Sequence, residues 1–237
     1  MSHEIKIHEA QTSILRELLF LPTAGYTDLQ KPTGLASDHF NFHIGRLVEL
    51  GLVEKTERGK YRLTMIGKEY ANRLDTEERK VERQGKIGVL VIPTRRRDDG
   101  VTEYMAQQRL KHPYYGYFGF VTGKLRWGET VLQGAARELA EEAGLRADLH
   151  LRGLYHMIDY AKDGRLLEDK HFYMMEAKEP AGELIASYDG GKNSWHTLEE
   201  IEALPKMFQG AREALGLIQD DGMVFREKSF EIEPEEY

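Results

Sequence analysis

An α/β fold that follows a separate, mostly helical N-terminal module is predicted by three patterns in this chain. Beyond residue 86, apolar segments at strand spacing alternate with amphipathic helical segments, which is typical of a mixed sheet with helices on both sides. Residues 1–75 are predicted instead as short helices and one hairpin. Between these regions, residues 76–86 are almost wholly charged, which indicates a linker.

The elements of the second domain can be placed in order along residues 87–220. Strands are predicted at residues 87–93, at 103–109, and around 151–160 and 171–177. Trp195 lies in a last strand, and Thr197 has the position of an N-cap for the helix that follows. For residues 221–237 the pattern leaves two alternatives, an added strand or an acidic tail.

Helices and one hairpin account for residues 1–75. Helices are predicted at residues 8–20, from 27 onward, at 38–51 and at 65–74, and the hairpin at 52–64. The side chains expected to face inward are Ile14, Leu15, Leu18, Leu19, Phe40, Ile44, Leu47 and Val48. This order of elements resembles the winged helix-turn-helix domain.

That resemblance implies a possible DNA contact through residues 38–62. The third helix would present His39, Asn41, His43 and Arg46 to a groove, and the hairpin would offer Lys55, Arg58, Lys60 and Arg62 to phosphates. Charges in the first 75 residues roughly cancel, however, and the whole chain carries a net charge of −7, whereas DNA-binding surfaces are usually basic. Such modules also serve in dimerisation or protein docking, so a homodimer is a second expectation.

Residues 123–145 contain the most informative pattern in the chain. Glu138, Glu141 and Glu142 have the spacing i, i+3 and i+4, which places three carboxylates on one face of a helix. Two such charges roughly 5.5 Å apart repel by about 3 kcal/mol at an effective dielectric constant of ~20. A divalent cation would offset this repulsion, and Mg²⁺ and Mn²⁺ prefer oxygen ligands. The apolar stripe of this helix consists of Val131, Leu132, Ala135, Leu139 and Ala143.

The same segment matches a known motif. The Nudix box begins with a glycine, five residues of any type, a glutamate and seven further residues of any type. It continues with Arg-Glu, an aliphatic residue, any residue, Glu-Glu, any residue, a glycine and an aliphatic residue. Its positions are filled without departure by Gly123, Glu129, Arg137, Glu138, Leu139, Glu141, Glu142, Gly144 and Leu145. An ordinary amphipathic helix with a solvated acidic face is the alternative. The segment therefore resembles the Nudix hydrolases.

The resemblance implies an α/β/α sandwich that hydrolyses a diphosphate bond in a nucleoside diphosphate linked to another group. Glu138, Glu141 and Glu142 match the metal ligands of the family, and one of them is often proposed as the base. The carbonyl of Gly123 often completes the metal shell. The implied cofactor is Mg²⁺ or Mn²⁺, which would lower the pKa of bound water and neutralise the diphosphate.

Arg137 is expected to contribute to catalysis by holding a carboxylate through a bidentate pair. Glu129 resembles the family position that supports this arginine or bridges to the metal.

A further acid often precedes a tryptophan-bearing strand in this family. Asp189 stands six residues before Trp195, and is therefore a candidate metal ligand or general base. The alternative is an ordinary Asp-Gly turn without a catalytic role. Glu168, Asp169 and Glu183 are weaker candidates, because acids beside strands are commonly only solvated.

A polar and aromatic segment precedes the box, where the sheet of the family borders the nucleotide. Arg109 is the candidate for a contact with substrate phosphate. An aromatic ring could stack on a base, although packing in the core is the stronger alternative. The rings concerned are Tyr114, Tyr115, Tyr117, Phe118 and Phe120.

Composition excludes several classes of protein. The chain has no cysteine, which rules out disulfides, thiolate zinc sites and cysteine nucleophiles, and argues against the isopentenyl diphosphate isomerase branch of the family. No apolar run approaches the ~20 residues of a membrane span, and the first residues lack a signal peptide. A cytoplasmic protein with no membrane partner is expected.

Two functions follow from these patterns. The first is a Nudix-type pyrophosphohydrolase acting on a nucleotide diphosphate. The second is a transcription regulator that senses a nucleotide metabolite with little or no hydrolysis. Known regulators that combine these two domains have often lost box acids and tend to carry the winged helix at the C-terminus. Here the box is complete and the helical module comes first, which favours hydrolysis.

Overall fold

Two units divide the chain, Met1–Arg83 and Gln84–Tyr237. The computed structural model describes residues 7–74, 84–219, 222–233 and 237. The predicted linker at 76–86 lies outside the described residues except for its last three, the last of which begins a strand.

The first unit contains four α-helices and one hairpin among its described residues. They are α1 (Glu9–Phe20), α2 (Tyr26–Gln30), α3 (Ser37–Glu49), β1 (Val53–Lys55), β2 (Tyr61–Leu63) and α4 (Met65–Ala71), with a 3-10 turn at Lys31–Thr33. Strands β1 and β2 pair antiparallel. The elements follow the predicted order, with boundaries shifted by no more than three residues.

Helix α1 starts where His8 caps it. The His8 Nδ1 atom accepts a hydrogen bond from the Ala10 amide at 3.1 Å, and the Gln11 side chain accepts one from the His8 amide at 2.9 Å. This reciprocal arrangement satisfies amide groups that have no partner within the helix. Behind the cap, the predicted apolar stripe is buried at Ile14, Leu15 and Leu18.

Two predictions for helix α3 are wrong. Val48 was expected to face inward but is 41% exposed, since the buried stripe follows Phe40, Ile44 and Leu47 instead. His43 was expected to reach a groove, but its ring stacks on that of His8 with centroids 4.4 Å apart. Because α1 packs against α3, this part of α3 faces protein, and burial together with the nearby His8 lowers the pKa of His43.

The second unit contains one mixed sheet with helices on both faces. Its strands are β3 (Lys86–Arg96), β4 (Thr102–Arg109), β5 (Phe118–Gly119), β6 (Val121–Lys124), β7 (Leu145–Ala161), β8 (Leu166–Gly182), β9 (Ser187–Tyr188), β10 (Gly191–Thr197) and β11 (Val224–Ile232). Their order is β11-β7-β8-β3-β4-β10-β9, with β6 paired to β3 and β5 to β4. The β3–β8 and β7–β11 pairs are parallel, and the other pairs are antiparallel.

Two cores lie on opposite faces of this sheet. Helix α5 (Val131–Ala143) packs on one face through Ala135, Leu139 and Ala143. Helices α6 (Leu198–Ala203) and α7 (Gln209–Leu217) pack on the other face. Successive strand side chains alternate between the faces, so β3 supplies Val89 to one core and Leu90 to the other. The arrangement is the predicted α/β/α sandwich with a mixed sheet.

The two longest strands extend well beyond the residue ranges predicted for them, 151–160 and 171–177. Strands β7 and β8 have 17 residues each, because their antiparallel pairing continues into polar segments through three register shifts, at Arg146/Asp148, Leu151/Gly153 and Asp159/Tyr160. The C-terminal segment contains β11, which lies parallel to β7 and buries Phe230. One residue of the predicted helical stripe differs, because Leu132 is 56% exposed.

Candidate active site

Both ends of helix α5 are fixed by local contacts. Thr130 caps its start, accepting a hydrogen bond from the Gln133 amide at 3.3 Å while the Gln133 side chain accepts from the Thr130 amide at 2.9 Å. Gly144 ends it in the left-handed conformation, with φ of 72°. A Cβ atom at Gly144 would lie 2.5 Å from the carbonyl oxygen of Glu183, so glycine is required there for space as well. The helix therefore holds its acidic residues in a defined orientation.

Arg137 is the centre of an ion-pair network at this helix. Its Nε and Nη2 atoms lie 2.7 and 2.9 Å from the two carboxylate oxygens of Glu129, which is a bidentate pair. Its Nη1 atom lies 2.6 Å from Glu138. The hydrogen bond from Arg137, helped by the amide of Arg126, lowers the pKa of Glu129 to about 2, and the pairing with Glu129 raises the pKa of Arg137. Glu129 therefore stays anionic and orients the arginine.

Glu138 lies directly against strand β6 at Gly123. A Cβ atom at Gly123 would be 1.8 Å from the carboxyl carbon of Glu138, so any side chain there would displace the carboxylate. Gly123 is placed by its pairing with Val89 on β3. The glycine and the glutamate of the motif are thus required together, since the backbone makes room for the acid.

Glu141 points to the more open side of the helix. It is half-exposed, and its carboxylate lies 3.3 Å from Arg126 and 3.3 Å from Arg137. Because Arg126 is itself largely exposed, this pair is worth little stability and does not prevent Glu141 from rotating towards a cation.

Glu142 differs from the other box acids because it faces the interior. Its Oε2 atom accepts a hydrogen bond from Gln107 Nε2 at 3.1 Å, and the Tyr188 phenol donates another. Its backbone carbonyl accepts from Asn193 Nδ2 at 2.7 Å. Burial raises the pKa of Glu142 and outweighs the opposing effect of these donors, and the negative charge of Glu138 adds to the increase.

Gln107, Tyr188 and Asn193 were not predicted as site residues. They come from β4, β9 and β10, and no motif in the sequence marks them. Asn193 is buried, and also donates to the carbonyl of Ile185 at 2.8 Å. The sequence offered one signal for Asn193, because it is a polar residue at an inward-facing position of a strand. Its partners can be identified only when the pairing of the strands is known.

A cavity of about 570 Å³ lies on the face of the sheet covered by α7 and reaches the box at strand β6. Gln107, Gly123 and Lys124 line it near the box. Its apolar wall includes Tyr114, Tyr117, Phe120, Phe172, Phe208 and Phe230. Tyr114 and Phe120 are buried, as the packing alternative predicts, whereas Tyr115 is 54% exposed.

Arg109 also lines the cavity, with its guanidinium held by its own loop. Its Nε atom donates to the Pro113 carbonyl at 2.5 Å, and Nη2 donates to the His112 carbonyl at 3.3 Å. The positive charge is thus placed at the cavity wall by backbone oxygens and not by a carboxylate.

Asp189 lies in the two-residue turn that joins β9 to β10, where Tyr188 pairs with Gly191. It is exposed, and it is its neighbour Tyr188 that bonds Glu142. The role of Asp189 as a ligand or base stays a prediction. Among the weaker candidates, Glu168 pairs with Lys86, and Asp169 lies beside His156.

Comparison with known proteins places the second unit in a described family. The model of the NUDIX domain matches residues 85–217, which is more than half of the chain. The MutT protein from Bacillus halodurans superposes with a TM-score of 0.52 at 22% identity, over 64% of this chain and 93% of that one. The Nudix domain of NrtR from Shewanella oneidensis, solved with ADP-ribose, has a TM-score of 0.49 at 18% identity, over 66% and 96% of the chains.

Within the described residues, no helix combines the length and apolar character that a membrane span requires.

Proposed function

Because the chain belongs to the Nudix family, we propose that it is a divalent-metal-dependent hydrolase that cleaves a diphosphate bond in a nucleoside diphosphate linked to another group. The observation that carries this proposal is the position of Glu138 in the space left by Gly123, near the half-buried Glu142. A carboxylate pair of this kind, next to a glycine that lines the cavity, suits a hard cation bound to phosphate oxygens.

The donor set fits Mg²⁺ or Mn²⁺. Glu138, Glu141 and Glu142 would hold the ion together with the carbonyl of Gly123, and all four groups offer the oxygen atoms that these ions prefer. When bound, the ion would lower the pKa of the attacking water and neutralise charge on the diphosphate. Glu138 and Glu142 repel each other, and a bound cation would relieve this repulsion.

The remaining residues of the site position these carboxylates. Arg137 turns Glu138 towards Gly123 and is itself oriented by Glu129. Gln107 donates a hydrogen bond to the Glu142 carboxylate, and Asn193 donates one to the backbone carbonyl of the same residue, so the sheet restrains both the side chain and the backbone of Glu142. Geometry of this kind matters because misplacing the reacting groups by about 1 Å can lower the rate about 10²-fold.

The cavity suits a nucleotide whose phosphates face cations and whose base faces aromatic rings. Lys86, Lys124, Lys170, Lys206 and Arg109 line it together with the rings described above. Arg109 is our candidate for a phosphate contact, because backbone carbonyls and not acids hold its guanidinium. Asp189 remains a proposed additional ligand or base at the exposed turn beside Tyr188.

The decisive experiment is a substrate panel assayed with Mg²⁺ and with Mn²⁺. It should contain nucleotide sugars, ADP-ribose, dinucleotides and oxidised deoxynucleoside triphosphates, and the released nucleoside monophosphate should be quantified. We expect metal-dependent turnover of at least one class and none in excess chelator. No turnover of any member by folded protein would refute hydrolysis.

A second function, regulation of transcription through DNA binding by residues 38–62, has one observation in its favour. His39, Asn41 and Arg46 are exposed on α3, and Lys55, Arg58, Lys60 and Arg62 are exposed on the hairpin. Against it, Arg46 pairs with Glu49 at 2.9 Å and Arg62 with Glu54 at 2.5 Å, which reduces the free positive charge. The hydrolase is therefore the better supported function.

Binding to DNA upstream of the protein's own operon tests this alternative. Salt-dependent affinity that falls in the double variant Arg46→Ala, Arg58→Ala would support it. The control is Glu57→Ala, which alters an exposed residue of the same hairpin loop without removing a cation. Affinity that the double variant leaves unchanged would exclude this surface.

A further inference from the structure

A cluster of two imidazoles and two carboxylates lies on β7, β8 and β11 and shares no residue with the Nudix box. His156 on β7 pairs directly with His171 on β8 and with Glu227 on β11, so these three side chains lie on one face of the sheet. Asp169 precedes His171 by two residues along β8 and therefore shares that face. Three adjacent strands thus bring together residues that are far apart in the sequence.

The donor atoms of this cluster are close together. His156 Nε2 lies 2.9 Å from Asp169 Oδ1, and His171 Nε2 lies 3.5 Å from the same oxygen. The two imidazole rings stack with their centroids 3.9 Å apart. In the part of the chain that the structure describes, this is the one group of three His, Asp or Glu side chains whose donor atoms all lie within 4.8 Å of one another.

Two neighbouring residues support these donors. Glu227 Oε2 lies 2.7 Å from His156 Nδ1, which directs the other ring nitrogen towards Asp169. A carboxylate on the far nitrogen is the usual support of a metal-binding histidine. At Gly85, a Cβ atom would lie 2.8 Å from Asp169 Oδ1 and 3.0 Å from His171 Cδ2, so glycine leaves room for the cluster. Asp169 and His171 are both about one-third exposed, which gives an ion access from solvent.

The cluster lies on the other side of β8 from the cavity. Lys170 and Phe172 line the cavity, and they alternate along the strand with Asp169 and His171. Since successive strand side chains point to opposite faces, the cluster is separated from the cavity by the sheet. An ion bound there would not contact a substrate in the cavity.

We propose that His156, Asp169 and His171 bind a zinc-type divalent transition metal, with Glu227 as the hydrogen-bonded support of His156. Two imidazole nitrogens and one carboxylate oxygen, with a fourth position open to water, form a common ligand set of Zn²⁺. Mg²⁺ prefers oxygen ligands alone, so this site is chemically distinct from the box glutamates. The bound ion would join β7 to β8 and, through Glu227, support the attachment of β11.

Calorimetric titration of the full chain with ZnCl₂ in excess MgCl₂ tests this proposal. We expect one Zn²⁺ per chain in the wild type and in Glu142→Gln, and at least a 10-fold weaker affinity in His171→Ala and in Asp169→Asn. Glu227→Gln should weaken binding by about 10-fold, as loss of a supporting hydrogen bond does. The matched control is His150→Ala, which removes an exposed histidine from the same strand β7.

A spectroscopic and a thermal measurement complete the test. Bound Co²⁺ should show visible absorption typical of nitrogen ligation in the wild type, and this absorption should disappear in His171→Gln, a second variant that keeps side-chain volume. Zn²⁺ at about 100 times its Kd should raise the melting temperature by about 5 °C in the wild type and in Glu142→Gln, and by clearly less in His171→Ala. Absence of Zn²⁺ binding, equal affinity in folded His171→Ala or His171→Gln, or loss of binding in Glu142→Gln would overturn the proposal.

Discussion

An acid of the box helix and an acid of the cavity wall lie in different electrostatic settings. On the β4–β6 side, Glu142 is bonded by the neutral amide of Gln107, and Glu138 lies nearby. On the β7–β8 side, Asp159 is buried but lies 2.5 Å from Lys170 and 2.7 Å from the hydroxyl of Tyr114. Asp159 is the more deeply buried of the two and is paired with a cation, whereas Glu142 is half-buried and accepts its hydrogen bonds from neutral groups. The difference supports the proposal that Glu142 contributes to a cation site, whereas Asp159 is already paired with Lys170 in the cavity wall.

The largest effect on the rate is expected from removing the negative charge of Glu142, whose hydrogen-bond donors are neutral. Glu142→Gln keeps the shape of the side chain but loses its negative charge, so kcat should fall by about 10³-fold, or about 4 kcal/mol. Steady-state rates across a Mg²⁺ titration measure this. Glu199→Gln, an exposed acid on α6, is the control and should leave the rate unchanged. Full activity in Glu142→Gln would show that the two sides are not functionally different.

Arg137→Lys tests whether geometry or charge alone organises the box side. Lysine keeps the positive charge but cannot bond both oxygens of Glu129 and reach Glu138 at once. We expect kcat to fall by about 10- to 100-fold and the free energy of unfolding to fall by about 1 kcal/mol. Rates and denaturant titrations measure both changes. Arg126→Lys, which alters only an exposed pair, should change stability by less than about 0.5 kcal/mol.

Asn193→Ala tests the support of Glu142 from the sheet. The substitution leaves the carbonyls of Glu142 and Ile185 without their side-chain donor in a buried setting, which should cost about 2 kcal/mol of unfolding free energy. Because Glu142 then loses its anchor, we expect kcat to fall about 10-fold with a smaller change in KM. Lys192→Ala, an exposed neighbour on β10, provides the reference. An unchanged stability would argue against Asn193 as an anchor.

The smallest effect, on the free energy of unfolding, is expected at Glu213, whose charge is already paired with Lys228. Burial alone would raise the pKa of Glu213, but hydrogen bonds from Lys228 and Tyr155 outweigh it and lower that pKa. A lowered pKa stabilises the fold above the ordinary value of about 4.3, and this stabilisation is lost as pH falls through the lower, folded pKa. The free energy of unfolding of the wild type should therefore exceed that of Glu213→Gln by less than about 1 kcal/mol at pH 7.

Acid titration of both proteins measures the Glu213 effect. The difference in unfolding free energy should shrink progressively below the ordinary pKa and disappear in strong acid. A difference that grew towards low pH would contradict the assigned direction. The free energy of unfolding of Glu199→Gln should depend on pH in the same way as that of the wild type.

The sequence alone determined the features that depend on local spacing. The box residues, the cap at Thr130, the left-handed Gly144 and the order of helices and strands are all set within a few residues, because helix periodicity and capping are local properties. Helix periodicity gave the wrong exposure for Val48, Leu132 and His43, because the element that packs against a helix decides which of its faces is buried.

Only the tertiary structure decided which residues surround the predicted helix. Gln107 and Asn193 reach Glu142 because β4 and β10 are paired, and His156 meets His171 because β7 and β8 are in register. These contacts join residues separated by 15 to 51 positions, which no periodicity in one segment encodes. The sequence therefore specifies the box helix locally, whereas the hydrogen bonds from the sheet to Glu142 and the imidazole cluster arise from strand pairing.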